Sequence, residues 1–277
     1  MVKIRDLTFS YRKKSVFREL NLDLRSGHIY GLLGRNGTGK STLLRNMAGF
    51  LFPQGGSIDI LGTQPQKRQP SFLGKVFLLP EEFYLPPIGV EQWVKHNAPF
   101  YPLFNRQQFD RLVADFDIPG ETSLHEMSYG QQKKLLITFA LATNAALLLM
   151  DEPTNGLDII SKSQFRKVIA GALDEGRCIL ISTHQVQDLE SLIDEVIIID
   201  DGRILFHRSI EAIARELQFK TSRNPEETDL ALYSESSLQG HRLVCRNPGG
   251  GESHPDLEML YKAVVANSKD LNAVFIR

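Results

Sequence analysis

Cysteine is scarce: Cys178 and Cys245 are the only two in 277 residues, too few for a disulfide framework and without the CxxC spacing of a zinc site. Both read as small buried hydrophobes of a reducing compartment. Charge of one sign is also missing. The 32 Lys and Arg face 33 Asp and Glu, for a net charge of −1, so the electrostatic footprint of a chain that lives on nucleic acid is absent and no nucleic-acid partner is expected. The longest apolar run, residues 145–150, is far below the ~18 residues that suggest a membrane span. The opening MVKIRDLTFSYRKK lacks a signal-peptide apolar region, which predicts a cytoplasmic chain. Repeats and low-complexity segments are absent as well. With 42% hydrophobic and 23% charged residues the composition is that of an ordinary globular chain, long enough for one large domain with an appendage or for two small domains.

What is present is a β/α rhythm. Apolar and polar side chains alternate through Val2, Ile4, Leu7 and Phe9 and again through Leu20, Leu22 and Leu24, as in half-buried strands of a small antiparallel sheet. Residues 76–79, 147–150, 178–181 and 196–199 are apolar without alternation, which requires burial on both faces, as in a parallel sheet. Helical patterns at 40–48, 131–143 and 161–173 supply the crossovers between parallel strands. The expected fold is α/β, with a mostly parallel sheet and a small antiparallel N-terminal β-subdomain. Residues 85–123 carry Trp93, Phe100, Tyr101 and Phe109 between prolines and, with the helix that follows, predict a helical insertion over about 85–145. From Phe206 the rhythm is lost, and Asn247-Pro248-Gly249-Gly250-Gly251 is a loop signal. A main domain over 1–205 and a C-terminal extension of unread fold over 206–277 are expected.

The segment Gly34-Arg35-Asn36-Gly37-Thr38-Gly39-Lys40-Ser41-Thr42 satisfies the P-loop pattern, after a strand at 29–33 and before a helix. Its glycines let backbone N–H groups turn inward around phosphate, the helix N-terminus adds its dipole, and Lys40 supplies charge for the β- and γ-phosphates. Ser41 would ligand Mg²⁺. Downstream, the apolar run 147–150 ends in Asp151-Glu152; in P-loop ATPases the first such acid holds Mg²⁺ and the second polarises the attacking water. Together these predict a P-loop NTPase core that binds ATP and Mg²⁺.

Over about residues 1–205 the chain resembles the nucleotide-binding subunit of an ATP-binding cassette (ABC) transporter. Met127-Ser128-Tyr129-Gly130-Gln131-Gln132 is similar to the family's LSGGQ signature, with Met for Leu and Tyr129 for the first Gly. The resemblance implies nucleotide contacts from Ser128, Gly130 and Gln131, with Ser128 and the Gly130 amide donating to the γ-phosphate. It further implies that Tyr11 stacks on adenine, that Asn155-Gly156-Leu157-Asp158 is the D-loop bridging two subunits, and that His184 is the switch facing the γ-phosphate. Glu81 stands where the family usually has Gln; as a carboxylate it ligands a cation but cannot donate. The implied roles are Glu152 as general base, Lys40 and His184 as charge stabilisers, and Ser41, Asp151 and Glu81 toward Mg²⁺.

Each motif occurs once, and the family sandwiches ATP between two cassettes, so a second cassette is the implied partner, together with a membrane-spanning permease subunit at the cytoplasmic face of the membrane. The placement of the tail resembles that of export systems. Phe83, Tyr84 and Phe100 are the expected apolar anchors for the permease. The competing reading is a soluble ABC-type ATPase acting on ribosomes or DNA, whose usual second cassette, long coiled coil or zinc modules are not seen here. A regulatory subunit with little turnover is opposed by Glu152.

Overall fold

The computed structural model describes residues 1–276 apart from 121, 250 and 252, so Gly250 of the expected loop lies outside the described residues. The chain opens with an antiparallel hairpin, β1 (Val2–Tyr11) and β2 (Lys14–Leu24), and passes into a buried strand, β3 (His28–Leu33). After the phosphate loop comes α1 (Lys40–Met47); β4 (Gly55–Ile60) then returns to pair with β1, closing a three-stranded sheet of order β2-β1-β4. The short α2 (Pro70–Leu73) leads to β5 (Val76–Leu79). Next come α3 (Val90–Asn97), α4 (Arg106–Asp115) and α5 (Tyr129–Ala142). The β/α rhythm resumes with β6 (Leu147–Asp151), α6 (Ile159–Ala172), β7 (Cys178–Thr183) and β8 (Glu195–Asp200). The chain continues through β9 (Arg203–Ser209), α7 (Ile210–Glu216), β10 (Leu217–Ser222), α8 (Pro225–Asp229), β11 (Tyr233–Ser237), β12 (Gly240–Arg246) and α9 (Leu257–Ala273).

The central sheet has six strands in the order β5-β6-β7-β3-β8-β9, parallel except for β9, which runs antiparallel to β8. Because side chains alternate along a strand, Ile29, Leu33, Ile179 and Ile198 face the insertion and the C-terminal helix. Tyr30, Leu32, Leu180 and Ile197 face α1 and the antiparallel sheet. Burial on both faces is what makes these strands apolar without alternation.

The insertion packs through its own aromatics onto one residue of α5. Trp93 and Phe104 lie with ring centroids 4.6 and 5.2 Å from Phe139, and Tyr101 lies 5.9 Å away, nearly perpendicular to it. Among the described residues no helix is long and apolar enough to cross a membrane.

The C-terminal extension forms a second three-stranded sheet, β10-β12-β11, and α9. The boundary expected at 205 falls inside β9, which stays paired to β8 from Arg203 to Ser209. Phe206 is buried in the same core as Leu257, Leu260, Val264 and Leu271 of α9, and Phe275 meets its ring edge-on at 5.5 Å. The extension therefore shares the main core.

Candidate nucleotide site

The loops leaving β3, β5, β6 and β7 all lie at the C-terminal ends of parallel strands, where ligands of open α/β sheets bind. The loop after β3 is shaped by glycine. Gly39, with φ of 107°, caps α1; a Cβ there would come 2.7 Å from a ring carbon of Phe17, and one on Gly34 would come 2.6 Å from Thr38 Oγ1. Neither position tolerates a side chain, so the backbone is free to approach a ligand closely. Lys40 is buried. Its Nζ donates to the carbonyls of Gly34 (2.8 Å) and Arg35 (3.3 Å) and lies 3.6 Å from Glu152 Oε1.

The cleft over this loop, about 620 Å³, is lined by Tyr11, residues 35–42, Glu81 and Glu152. Tyr11 stands half-exposed at its rim, Oη 3.5 Å from Thr42 Oγ1 and edge-on to Phe9. Gly34 instead joins Arg35, Asn36, Thr183, His184 and Tyr261 around an adjoining crevice of about 270 Å³.

Two buried carboxylates stand at the C-terminal end of β6, Asp151 as its last residue and Glu152 just beyond it. Ser182 Oγ donates to Asp151 Oδ1 at 2.5 Å, Thr183 Oγ1 donates to Glu152 Oε2 at 3.1 Å, and His184 Nδ1 donates to Glu152 Oε1 at 2.8 Å. With Nδ1 committed to Glu152, the ring's other nitrogen donates only when the imidazole is protonated. Glu152 has φ of 47°, in the left-handed region that is uncommon outside glycine.

Glu81 faces the same cleft from the loop after β5. Its Oε1 accepts from Asn155 Nδ2 at 3.1 Å, and its carbonyl accepts from Tyr129 Oη at 2.9 Å and Lys133 Nζ at 3.3 Å. Lys133 is buried; desolvation pushes its pKa down to about 8, against the pull of Glu81, Asp151 and Glu152.

Ser128, Gly130 and Gln131 do not line this cleft. Ser128 instead caps α5 in a reciprocal box, accepting from Gln131 N at 3.3 Å while its own amide donates to Gln131 Oε1 at 2.9 Å. Phe83, expected as an exposed anchor, is half-buried and stacks on Tyr129, with ring centroids 5.2 Å apart. Tyr84 and Phe100 are exposed, at 82% and 72%.

Sequence reasoning missed the hydroxyls of Ser182 and Thr183 as carboxylate partners; the polar pair closing an apolar strand was the available signal. It also missed Lys133, which beside Lys134 reads as part of a charged helix face, and Tyr261.

This fold and this phosphate cradle define a P-loop nucleoside-triphosphatase domain. The ABC transporter family model matches residues 17–155. The bacitracin transport ATP-binding protein BcrA of Bacillus licheniformis is 33% identical over 210 residues, covering 74% of this chain and 68% of that protein. The Nod factor export ATP-binding protein I of Neorhizobium galegae is 26% identical over 213 residues, covering 74% and 60%. A solved ATP-binding subunit of an ABC transporter superposes with a TM-score of 0.70 at 23% identity, covering 78% of this chain and 92% of that one. The chain belongs to the ABC transporter family and is of its ATP-binding subunit type.

Proposed function

We propose that this chain is the Mg²⁺-dependent ATPase of an exporter, bound to a membrane-spanning permease at the cytoplasmic face and working as a pair of cassettes. The observation that carries the reading is the convergence of Lys40, Glu152, Thr183 and His184, whose mutual contacts span 2.8 to 3.6 Å, beside a loop that glycine leaves open to phosphate.

The residues present fit the ligands. The cradle admits a triphosphate, and Ser41, Asp151 and Glu81 are the hard oxygen donors that Mg²⁺ takes; once bound, the ion neutralises charge on the phosphate oxygens. Lys40 exchanges its contacts with the loop carbonyls for the phosphates. Glu152 accepts the proton of the attacking water at a carboxylate oxygen, held by Thr183 and His184. Ser128, Gly130 and Gln131, outside this chain's own cleft, are available to complete the cleft of a second cassette, which supports the dimer.

Docking of the permease is supported by an apolar groove of about 750 Å³ between α2 and the segment at 99–102, lined by Phe50, Leu73, Phe100 and Tyr101. The direction of transport rests on the export named for the Neorhizobium relative and on the placement of the tail.

The test is ATP binding and phosphate release by the purified chain with Mg²⁺. Lys40→Ala is expected to lose most ATP affinity, because a buried phosphate then lacks its counter-charge. Unchanged affinity in equilibrium binding would refute the assignment.

A further inference from the structure

The chain departs from its family's pattern at Tyr129 and Glu81, and the two departures touch. Tyr129 Oη donates to the Glu81 carbonyl at 2.9 Å, and the Tyr129 ring lies 14° from parallel to Phe83, two residues further along the same loop. One turn along α5, the buried Lys133 donates to the same carbonyl at 3.3 Å, its Nζ 5.5 Å from the Phe83 centroid and 5.8 Å from that of Tyr129. The turn after β6 closes the third side. There Asn155 Nδ2 binds Glu81 Oε1 at 3.1 Å, and a Cβ on Gly156 would come 2.6 Å from the Tyr129 ring, so the ring seats where only glycine makes room.

A glycine at 129 would offer neither ring nor hydroxyl to this contact. An ammonium buried without a directly bonded carboxylate is costly to keep, and an apolar side chain of similar length is often neutral or stabilising in such a place. Its two ring contacts offset part of that cost, and its hold on the Glu81 peptide gives the ammonium a positional role that an apolar side chain could not fill.

We propose that Tyr129 and Lys133 are positioning residues: they clamp the Glu81 peptide between the start of α5 and the turn at 155–156, which fixes the Glu81 carboxylate over the phosphate cleft. The loop after β5 that bears Glu81, the start of α5 and that turn then move as one body. Glu81 is aimed by its main chain and by Asn155, and the hydroxyl and the ammonium share one carbonyl. The functional consequence rests on the ATPase reading above; the geometry of the clamp does not.

The experiment uses the full chain with three single variants and one double. Tyr129→Phe removes only the hydroxyl, Lys133→Met replaces the ammonium with an apolar stem, and Lys133→Arg keeps a cation. Amide hydrogen exchange over residues 81–85, Tm, ATP Kd, and kcat and KM for MgATP are measured. Tyr129→Phe and Lys133→Met are each expected to speed exchange at 81–85 about tenfold, leave Kd within about twofold, and lower kcat by about tenfold to a hundredfold, the scale of a small misplacement at a reacting centre. Tm stays level, or rises for Lys133→Met. The double variant is no worse than the poorer single, because both act through one carbonyl, and Lys133→Arg recovers part of kcat. Unchanged exchange, strictly additive losses, or Tm falling together with kcat in both single variants would overturn the clamp. If the wild-type chain hydrolyses no ATP, the ATPase reading fails by itself, and exchange and Tm still decide the clamp.

Discussion

Glu152 gathers the strongest constraints at the scale of single residues. Its carboxylate is buried and takes hydrogen bonds from Thr183 and His184, and its backbone sits in the left-handed region. Glu152→Gln keeps the size but removes the proton acceptor, so ATP binding is expected to persist while turnover falls by about 10²–10⁴. Size-exclusion chromatography with MgATP should then show the variant as a dimer; wild-type turnover would refute the role. Cys178 allows a test of burial through pH. Desolvation pushes its thiol up to about 12 from 9.0, so the unfolded chain releases that proton near pH 9 while the folded chain keeps it to about 12. This contribution to stability is full below pH 9 and is lost as pH rises toward 12. Tyr30, pushed up to about 12 from 10.0 by its own burial, acts in the same direction. Tm is expected to fall between pH 9 and 11, and Cys178→Ala to make that fall shallower in a thermal melt.

Elements differed in how well the sequence announced them, and the reason is burial. The parallel strands are covered on both faces, so each is an unbroken apolar word. β9, β10 and β11 are partly exposed and polar, and nothing in their texture separates strand from loop. The phosphate loop was legible because its chemistry is local. The clamp was not, since Tyr129 and Glu81 lie 48 residues apart and meet only once the insertion folds. Phe83 shows the same limit: an aromatic in a proline-flanked loop reads as exposed, yet a tyrosine on another element covers it. Tyr84 and Phe100 lack such cover; Phe100 lines the apolar groove by α2, and on the reading proposed above both side chains are candidates for the docking surface. Tyr84→Ser and Phe100→Ser are expected to leave ATPase activity within about twofold and Tm within about 2 °C, because little packing is lost. Co-sedimentation with membranes from cells expressing the whole transporter should drop sharply. A loss of Tm would show instead that these side chains support the fold.

For the whole molecule, the extension and the main domain share one buried core. α9 buries Leu257, Met259, Leu260, Val264 and Leu271 against the central sheet's core. At about 1.5–3 kcal/mol for each large apolar side chain, its removal forfeits roughly 10 kcal/mol, comparable with the ~5–15 kcal/mol that stabilises a typical protein. A chain stopped after residue 255 is therefore expected in the insoluble fraction, or to melt without a cooperative transition in calorimetry. Soluble, cooperative behaviour would show that the helix is dispensable. The sheet order also has a kinetic side. The phosphate loop hangs from β3, whose neighbours on either side are β7 and β8, with His28 paired to Cys178 and Tyr30 to Glu195. Contacts so distant in sequence close slowly. At synthesis rates of about 5–20 residues per second, the nascent loop waits roughly ten to thirty seconds for the strands that anchor it. On the reading proposed above, affinity for nucleotide is thus expected only after β7 and β8 have been made and paired with β3.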